Sequence, residues 1–148
     1  MKLLLVDDHE MVRLGLKSYL SMQDGIDQVL EASDGQEGVE LALKERPDVI
    51  IMDIVMPHMT GIEATLAILK EWPDAKILIL TSYLDNEKIY PVLDAGAKGY
   101  MLKTSSAEEI LRAIRKVEQG ELAIETEVSQ KVEYRKNHVE LHDDLTAR

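Results

Sequence analysis

The sequence predicts an α/β fold in which a doubly wound sheet of five parallel strands carries helices on both faces. Short apolar runs alternate five times with segments of helical spacing, and right-handed crossovers arrange such an alternation into a parallel sheet. Residues 49–52 are continuously apolar, which is typical of a strand buried on both faces. Asp53 follows this run directly, at the carboxyl edge where ligands bind in open α/β sheets.

The first part of the chain predicts two strands and two helices. Residues 2–6 are an apolar run and predict the first strand, and residues 9–20 have the apolar spacing of a helix. Residues 29–32 predict a second strand, whose lower apolar content places it near an edge of the sheet. Ser33 or Asp34 is predicted to cap the second helix, because short polar side chains accept from the free N–H groups of a first turn.

The middle of the chain continues the same alternation. After the strand at 49–52, residues 62–72 predict a third helix, whose core face is expected to carry Ile62, Leu66 and Leu69. Residues 76–80 then form another short apolar run, which predicts the fourth strand.

The last part of the domain predicts one interrupted helix, one strand and one strong helix. Residues 85–95 have weak helical spacing, and Pro91 is expected to kink or divide that helix. Residues 99–102 predict the fifth strand. The final helix is predicted to begin at Ser105, with Glu108 completing a capping box.

Residues 1–120 are therefore predicted to form one domain, and residues 121–148 are predicted to form a linker. The linker is rich in charged residues, and a single apolar stripe in it indicates a short amphipathic helix. His138 and His142 lie four residues apart, and we interpret them as tail residues rather than as a metal site.

Composition excludes several classes of protein. No apolar run is long enough to span a bilayer, and no secretory signal is recognisable. The absence of cysteine excludes disulfides, thiolate metal sites and cysteine catalysis, and is typical of a cytoplasmic protein. The net charge of −11 argues against nucleic-acid binding by the chain itself, because phosphate contacts need clustered Lys and Arg.

Polar side chains end four of the five predicted strands. Asp7 and Asp8 follow the first strand, Asp53 the third, Thr81 the fourth and Lys103 the fifth. Two carboxylates about 4 Å apart repel by about 4 kcal/mol at an effective dielectric constant near 20. A hard divalent cation such as Mg²⁺ would offset this repulsion. An aspartate beside such a cation and a lysine is suited to accept a phosphoryl group, which carries its charge on oxygen atoms.

The combined pattern resembles a response-regulator receiver domain, which has a flavodoxin-like, CheY-like fold. The resemblance covers about residues 1–120 and includes Met56, Pro57 and Gly61 in addition to the polar residues at the strand ends. One departure is Thr104, because the family often has proline directly after the lysine. The backbone beside Lys103 is therefore the part of the site that the resemblance predicts least.

The resemblance implies a role for each residue of the pattern. It implies that Asp53 is the phosphoacceptor and that Mg²⁺ is bound by Asp8, by Asp53 and by the backbone carbonyl of Val55, with Asp7 acting through water. Its implied partner is a sensor histidine kinase, and the only chemistry implied is phosphorylation and dephosphorylation of its own aspartate, so the chain is not predicted to be a conventional enzyme.

The resemblance also implies a switch and an output. Thr81 and Tyr100 are the implied switch pair, and Lys103 is implied to contact the phosphoryl group. Phosphorylation is expected to change dimerisation. Met11 and Leu14 lie off the buried face of the first helix and are candidate dimer contacts; the surface of the fourth helix, fifth strand and fifth helix is the competing choice.

Two short sequence segments point to one subgroup of this family. The segments at 7–13 and 31–35 are similar to those of NarL/LuxR-type regulators, and most similar to the LiaR/VraR cell-envelope stress regulators. Residues 145–148 resemble the start of the helix-turn-helix domain of such proteins. We therefore expect this chain to be the receiver and linker of a transcription regulator. Contact with DNA is expected only through the helix-turn-helix domain, which the sequence does not include.

Two alternatives remain at this stage. One is a stand-alone receiver that acts through protein contacts only. The other is a Mg²⁺-dependent phosphohydrolase with Asp53 as nucleophile, which is disfavoured because such enzymes commonly carry a second acid two residues later, where this chain has Val55.

Two bulky residues are predicted to lengthen the lifetime of a phosphoryl group on Asp53. Val55 and Tyr83 follow Asp53 and Thr81 by two residues each, and their side chains would restrict the attacking water.

Overall fold

The computed structural model describes residues 1–82 and 86–124, apart from the side chains of residues 86–89 and 92. The described strands are β1 (Lys2–Val6), β2 (Gln28–Ala32), β3 (Val49–Asp53), β4 (Ile77–Thr81), β5 (Gly99–Leu102) and β6 (Ala123–Ile124). The described helices are α1 (Glu10–Ser21), α2 (Gly35–Glu45), α3 (Gly61–Glu71), α4 (Asn86–Ala95) and α5 (Ala107–Glu118). Tyr83, the predicted linker helix beyond Ile124, and the tail histidines His138 and His142 lie outside the described residues.

The six strands in the described part of the chain pair in parallel in the order β2-β1-β3-β4-β5-β6. The first five follow the order of flavodoxin-like sheets, whose ligands bind at the strand ends where the order reverses. This result confirms the predicted fold class and the edge position of β2. The sixth strand was not predicted, because two residues carry no recognisable period; it extends the sheet into the segment assigned to the linker.

The side chains of each strand alternate between two apolar layers, as the pleat of a strand requires. One layer packs against α2, α3 and α4 and contains Leu4, Ile50, Met52, Ile79 and Tyr100 among others. The other layer packs against α1 and α5 and contains Leu5, Ile51, Leu80, Ile110 and Ile114 among others. The sheet is therefore covered on both faces, and its polar strand ends are left at one edge.

Three helices begin at residues whose side chains cap the first turn. Asp34 caps α2 by accepting from the N–H of Glu37 at 2.8 Å. The cap of α5 is Ser106, which forms a capping box with Glu109; the predicted cap at Ser105 was therefore wrong by one residue. A second capping box, between Thr60 and Glu63, begins α3 and was not predicted.

The predicted core face of α3 is correct for Ile62 and Leu69, which pack against the core, and wrong for Leu66. Leu66 is 48% exposed, whereas Ala64, Thr65 and Ile68 are fully buried. The apolar spacing favoured the larger leucine, but the helix instead turns its small side chains towards the sheet. In α4 the helix continues through Pro91 without division. No helix in the described part of the chain is long and apolar enough to cross a membrane.

Candidate functional site

The order of the sheet brings the polar strand ends together. Strands β1, β3, β4 and β5 are consecutive neighbours, and they end at or just before Asp7, Asp53, Thr81 and Lys103. Asp53 is 3% exposed and Thr81 is 1% exposed. The convergence that the strand-end pattern predicted is therefore present, and its central carboxylate lies almost entirely out of solvent.

Lys103 lies between two of the acids. Its Nζ is 2.8 Å from Asp7 Oδ2 and 3.1 Å from Asp53 Oδ2, and its backbone N–H donates to the carbonyl of Thr81 at 2.7 Å. The ammonium therefore neutralises part of the charge of a buried acid cluster. The backbone hydrogen bond holds the residue after β5 against the end of β4, although Thr104 stands where the family often has proline.

Burial raises the pKa of the Asp53 carboxyl above its ordinary value, and the negative charge of Asp7 raises it further. The ammonium of Lys103 acts in the opposite direction but does not cancel the effect. Burial alone would lower the pKa of Lys103, but its hydrogen bonds and ion pairs with Asp7 and Asp53 raise that pKa above the ordinary value. The lysine is therefore held in its charged form.

His9 belongs to the same cluster, although the strand-end pattern did not single it out. The residue precedes the first turn of α1, and its Nδ1 lies 2.9 Å from Asp7 Oδ1 and 3.3 Å from Asp8 Oδ1. The same nitrogen is 3.3 Å from Lys103 Nζ. Its position directly after the paired acids Asp7 and Asp8 was the available signal.

The remaining predicted residues occupy distinct positions around this cluster. Asp8 is partly exposed beside Asp7, and Val55 lies in the loop after β3 with its side chain 48% exposed. Tyr100 is completely buried in the layer beneath α3 and α4. Met11 is 82% exposed on α1, which covers the opposite face of the sheet from the layer that contains Tyr100.

The donor atoms of the cluster fit a divalent cation. Asp7, Asp8, His9 and Asp53 each offer one ligand atom, and these atoms all lie within 4.8 Å of one another. Asp53 Oδ2 is buried and, apart from its ion pair with Lys103, receives no hydrogen bond of normal geometry from the described residues. A buried carboxylate oxygen with free acceptor capacity beside two further acids has the chemistry of a hard-cation site.

Comparison with known proteins gives concordant results. The family model of the response regulator receiver domain matches residues 3–115. The chain is 51% identical to the transcriptional regulatory protein LiaR of Bacillus subtilis, over 99% of this chain and 72% of LiaR. It is 47% identical to the response regulator protein VraR of Staphylococcus aureus, over 99% of this chain and 71% of VraR.

A solved structure extends this similarity to the fold. The crystal structure of a LuxR-family two-component response regulator from Aurantimonas sp. SI85-9A1 is similar with a TM-score of 0.84 and 32% identity. The match covers 91% of this chain and 96% of that protein.

Proposed function

Because this chain belongs to the response regulator receiver domain family, and is similar to LiaR and VraR, we propose that Asp53 is its phosphoacceptor and a sensor histidine kinase its phosphodonor. The observation that carries this proposal is the position of Asp53. Its carboxylate ends the central strand β3, is 3% exposed, and lies 3.1 Å from Lys103. A nucleophile in that position has a fixed cation beside the charge that it would receive.

The proposed transfer uses the side chains of this chain as follows. A carboxylate oxygen of Asp53 attacks the phosphorus of a phosphohistidine, the P–N bond breaks, and the imidazole leaves. The attack needs the ionised carboxylate, and the ammonium of Lys103 favours that form because it lowers the pKa of Asp53 against the effect of burial. Lys103 supplies positive charge to the phosphoryl oxygens, which is the main catalytic need of such a transfer.

We propose Mg²⁺ as the metal of this site: as the family resemblance implies, Asp8, Asp53 and the backbone carbonyl of Val55 would hold it, and Asp7 would act through water. The contacts of Asp7 support the indirect role that this proposal gives it. Asp7 accepts from the backbone N–H of His9 at 2.8 Å and pairs with Lys103 at 2.8 Å, so each of its oxygens already has a partner. Bound Mg²⁺ supplies further positive charge to a phosphoryl group.

The proposed switch consists of Thr81 and Tyr100. In the sheet, Ile79 pairs with Tyr100 and Thr81 pairs with Leu102, so the two switch residues lie one diagonal step apart. Thr81 would move towards a phosphorylated Asp53, and Tyr100 would fill the vacated space. Tyr100 is completely buried here, which is the position that this proposal assigns to the active packing. The proposal therefore implies a shift between two populated packings.

The proposed output is a homodimer that controls a DNA-binding domain in a cell-envelope stress response. Met11 and Leu14 support a dimer contact on α1, because they are 82% and 49% exposed and lie on one side of one helix. LiaR is named as a transcriptional regulatory protein, which favours control of transcription. A stand-alone receiver remains the second candidate, since the acidic chain itself carries no basic cluster suited to DNA.

Intact-mass measurement after incubation with Mg²⁺ and acetyl phosphate tests the proposal. The wild type should gain one phosphoryl group, Asp53→Asn should gain none, and chelation of the metal should suppress the gain. Asp74→Asn is the matched control, because Asp74 is an exposed acid outside the cluster. A phosphoryl group that persists on Asp53→Asn, or that is lost on Asp74→Asn, would contradict the assignment.

A further inference from the structure

His9 adds a nitrogen donor to a site otherwise made of oxygen atoms. The residue caps α1 in an extended conformation, and its side chain makes no capping hydrogen bond to the helix. The ring is therefore not needed to begin α1. It is 57% exposed, yet its Nδ1 is directed at the acid cluster rather than at solvent, as its distances to four charged side chains show.

The separations of these atoms are close to those of ligands around a single ion. Two ligands about 2.1 Å from a zinc ion lie about 3.4 Å apart in the tetrahedral geometry that is usual for zinc in proteins. His9 Nδ1 is 3.3 Å from Asp8 Oδ1 and 3.9 Å from Asp53 Oδ2. The imidazole is therefore at ligand spacing from Asp8 and about half an ångström beyond that spacing from Asp53.

The chemistry of this donor set differs from that of a site with oxygen ligands alone. Mg²⁺ prefers oxygen ligands, whereas imidazole nitrogen favours zinc, copper, iron and nickel. We propose that His9 Nδ1 is a ligand for a transition-metal ion, with zinc as its representative, bound by Asp8, His9 and Asp53 in competition with Mg²⁺. This inference rests on the metal site proposed above and deepens it, because it gives the same site a second class of cation.

The alternative role of the ring is a hydrogen bond to Asp7, whose Oδ1 lies 2.9 Å from Nδ1. That oxygen already accepts from the backbone N–H of His9 at 2.8 Å, so the ring is not required to satisfy it. Lys103 Nζ, which only donates, is 3.3 Å from the same ring nitrogen. The Nδ1 lone pair that accepts from this ammonium is the one that a bound metal ion would take in its place.

The test measures the affinity of the full-length chain for two metal ions and identifies which imidazole nitrogen binds zinc. The chain has four histidines, and His138→Gln with His142→Gln removes those of the tail, leaving His9 and His58. Isothermal titration with Zn²⁺ and with Mg²⁺ then measures affinity. ¹⁵N spectra of the imidazoles during Zn²⁺ titration identify the nitrogen that is bound, and we expect a large shift of His9 Nδ1 alone.

Two variants separate this inference from the proposed function. His9→Ala should weaken Zn²⁺ binding by roughly tenfold or more and should weaken Mg²⁺ binding much less, because imidazole nitrogen is a good zinc ligand whereas Mg²⁺ prefers oxygen ligands. His58→Asn is the matched control, since Asn tolerates the positive φ of 69° at that position, and it should change neither affinity.

Each outcome is decisive. An Nδ1 signal of His9 that does not move with Zn²⁺, or equal Zn²⁺ affinity in His9→Ala and the wild type, would overturn the ligand assignment and leave the ring as a partner of Asp7. Asp8→Asn should weaken the binding of both Zn²⁺ and Mg²⁺. If Mg²⁺ fails to bind the wild type while Zn²⁺ binds through His9, the Mg²⁺ part of the proposed function fails and the His9 inference stands.

Discussion

Gly61, at the start of α3, lies directly against the backbone at the end of β3. Adding one methyl group there tests how close this contact is. A Cβ on Gly61 would lie 1.9 Å from the carbonyl oxygen of Asp53 and 2.8 Å from its carbonyl carbon. Both are backbone atoms, so no side-chain rotation relieves the overlap. The Gly61 N–H also donates to the carbonyl of Ile54 at 2.7 Å. Gly61→Ala must therefore displace the start of α3 or the strand end that carries Asp53.

The expected cost exceeds that of ordinary overpacking, which is about 1–3 kcal/mol when side chains can adjust. We expect Gly61→Ala to lower the free energy of unfolding by about 3 kcal/mol or more. With a urea dependence of about 1–3 kcal/mol per molar, the unfolding midpoint should fall by at least about 1 M. Phosphorylation from acetyl phosphate should also slow, because the acceptor carboxylate is displaced from Lys103.

Gly15→Ala is the matched control for this experiment. Gly15 lies within α1, and nothing is within 4 Å of the Cβ that alanine would add. Alanine is favoured over glycine inside a helix by about 0.5–1 kcal/mol, so this variant should unfold at a higher urea concentration than the wild type. A Gly61→Ala protein with wild-type stability and normal phosphorylation would refute the reasoning from backbone overlap.

Three further predictions concern charge, capping and the dimer surface. Asp53→Asn should stabilise the metal-free fold at neutral pH, and this advantage should shrink in acid. The pKa of Asp53 is raised in the folded state, so the free energy of unfolding of the wild type falls as pH rises through that pKa. Urea unfolding against pH measures this difference. Ser106→Ala should lower stability by about 1 kcal/mol and Ser105→Ala by clearly less, and equal midpoints would contradict the observed cap. Met11→Asp should abolish phosphorylation-linked dimerisation in sedimentation experiments, whereas the equally exposed control Met22→Asp should not.

The sequence predicts this fold well because its strongest signals are strand signals. Runs such as 49–52 are apolar at every position, and the structure buries every residue of β3. The strand-end residues follow from the same signal, because parallel strands place their carboxyl ends at one edge. Asp53 and Lys103 are therefore found close together from the pattern alone, without knowledge of their 3.1 Å separation.

The errors come from choices that depend on neighbouring elements. Ser105 and Ser106 are each followed by Glu three residues later, so local chemistry does not decide which one caps α5. Leu66 fits the apolar period of α3, but the packing of that helix against the sheet favours the smaller Ala64. The contribution of His9 depends on the turn after β1, which a strand or helix period does not describe.

Lys103 offers a route by which chemistry at the proposed acceptor would reach the proposed switch. The ammonium already pairs with Asp7 and Asp53, and a phosphoryl group would add about 1.5–2 negative charges beside it. The lysine must then give up part of its contact with Asp7. Because its backbone N–H is bonded to the carbonyl of Thr81, a shift of Lys103 would pull on β4 and β5 together. These are the strands that carry Thr81 and Tyr100, the two residues of the proposed switch.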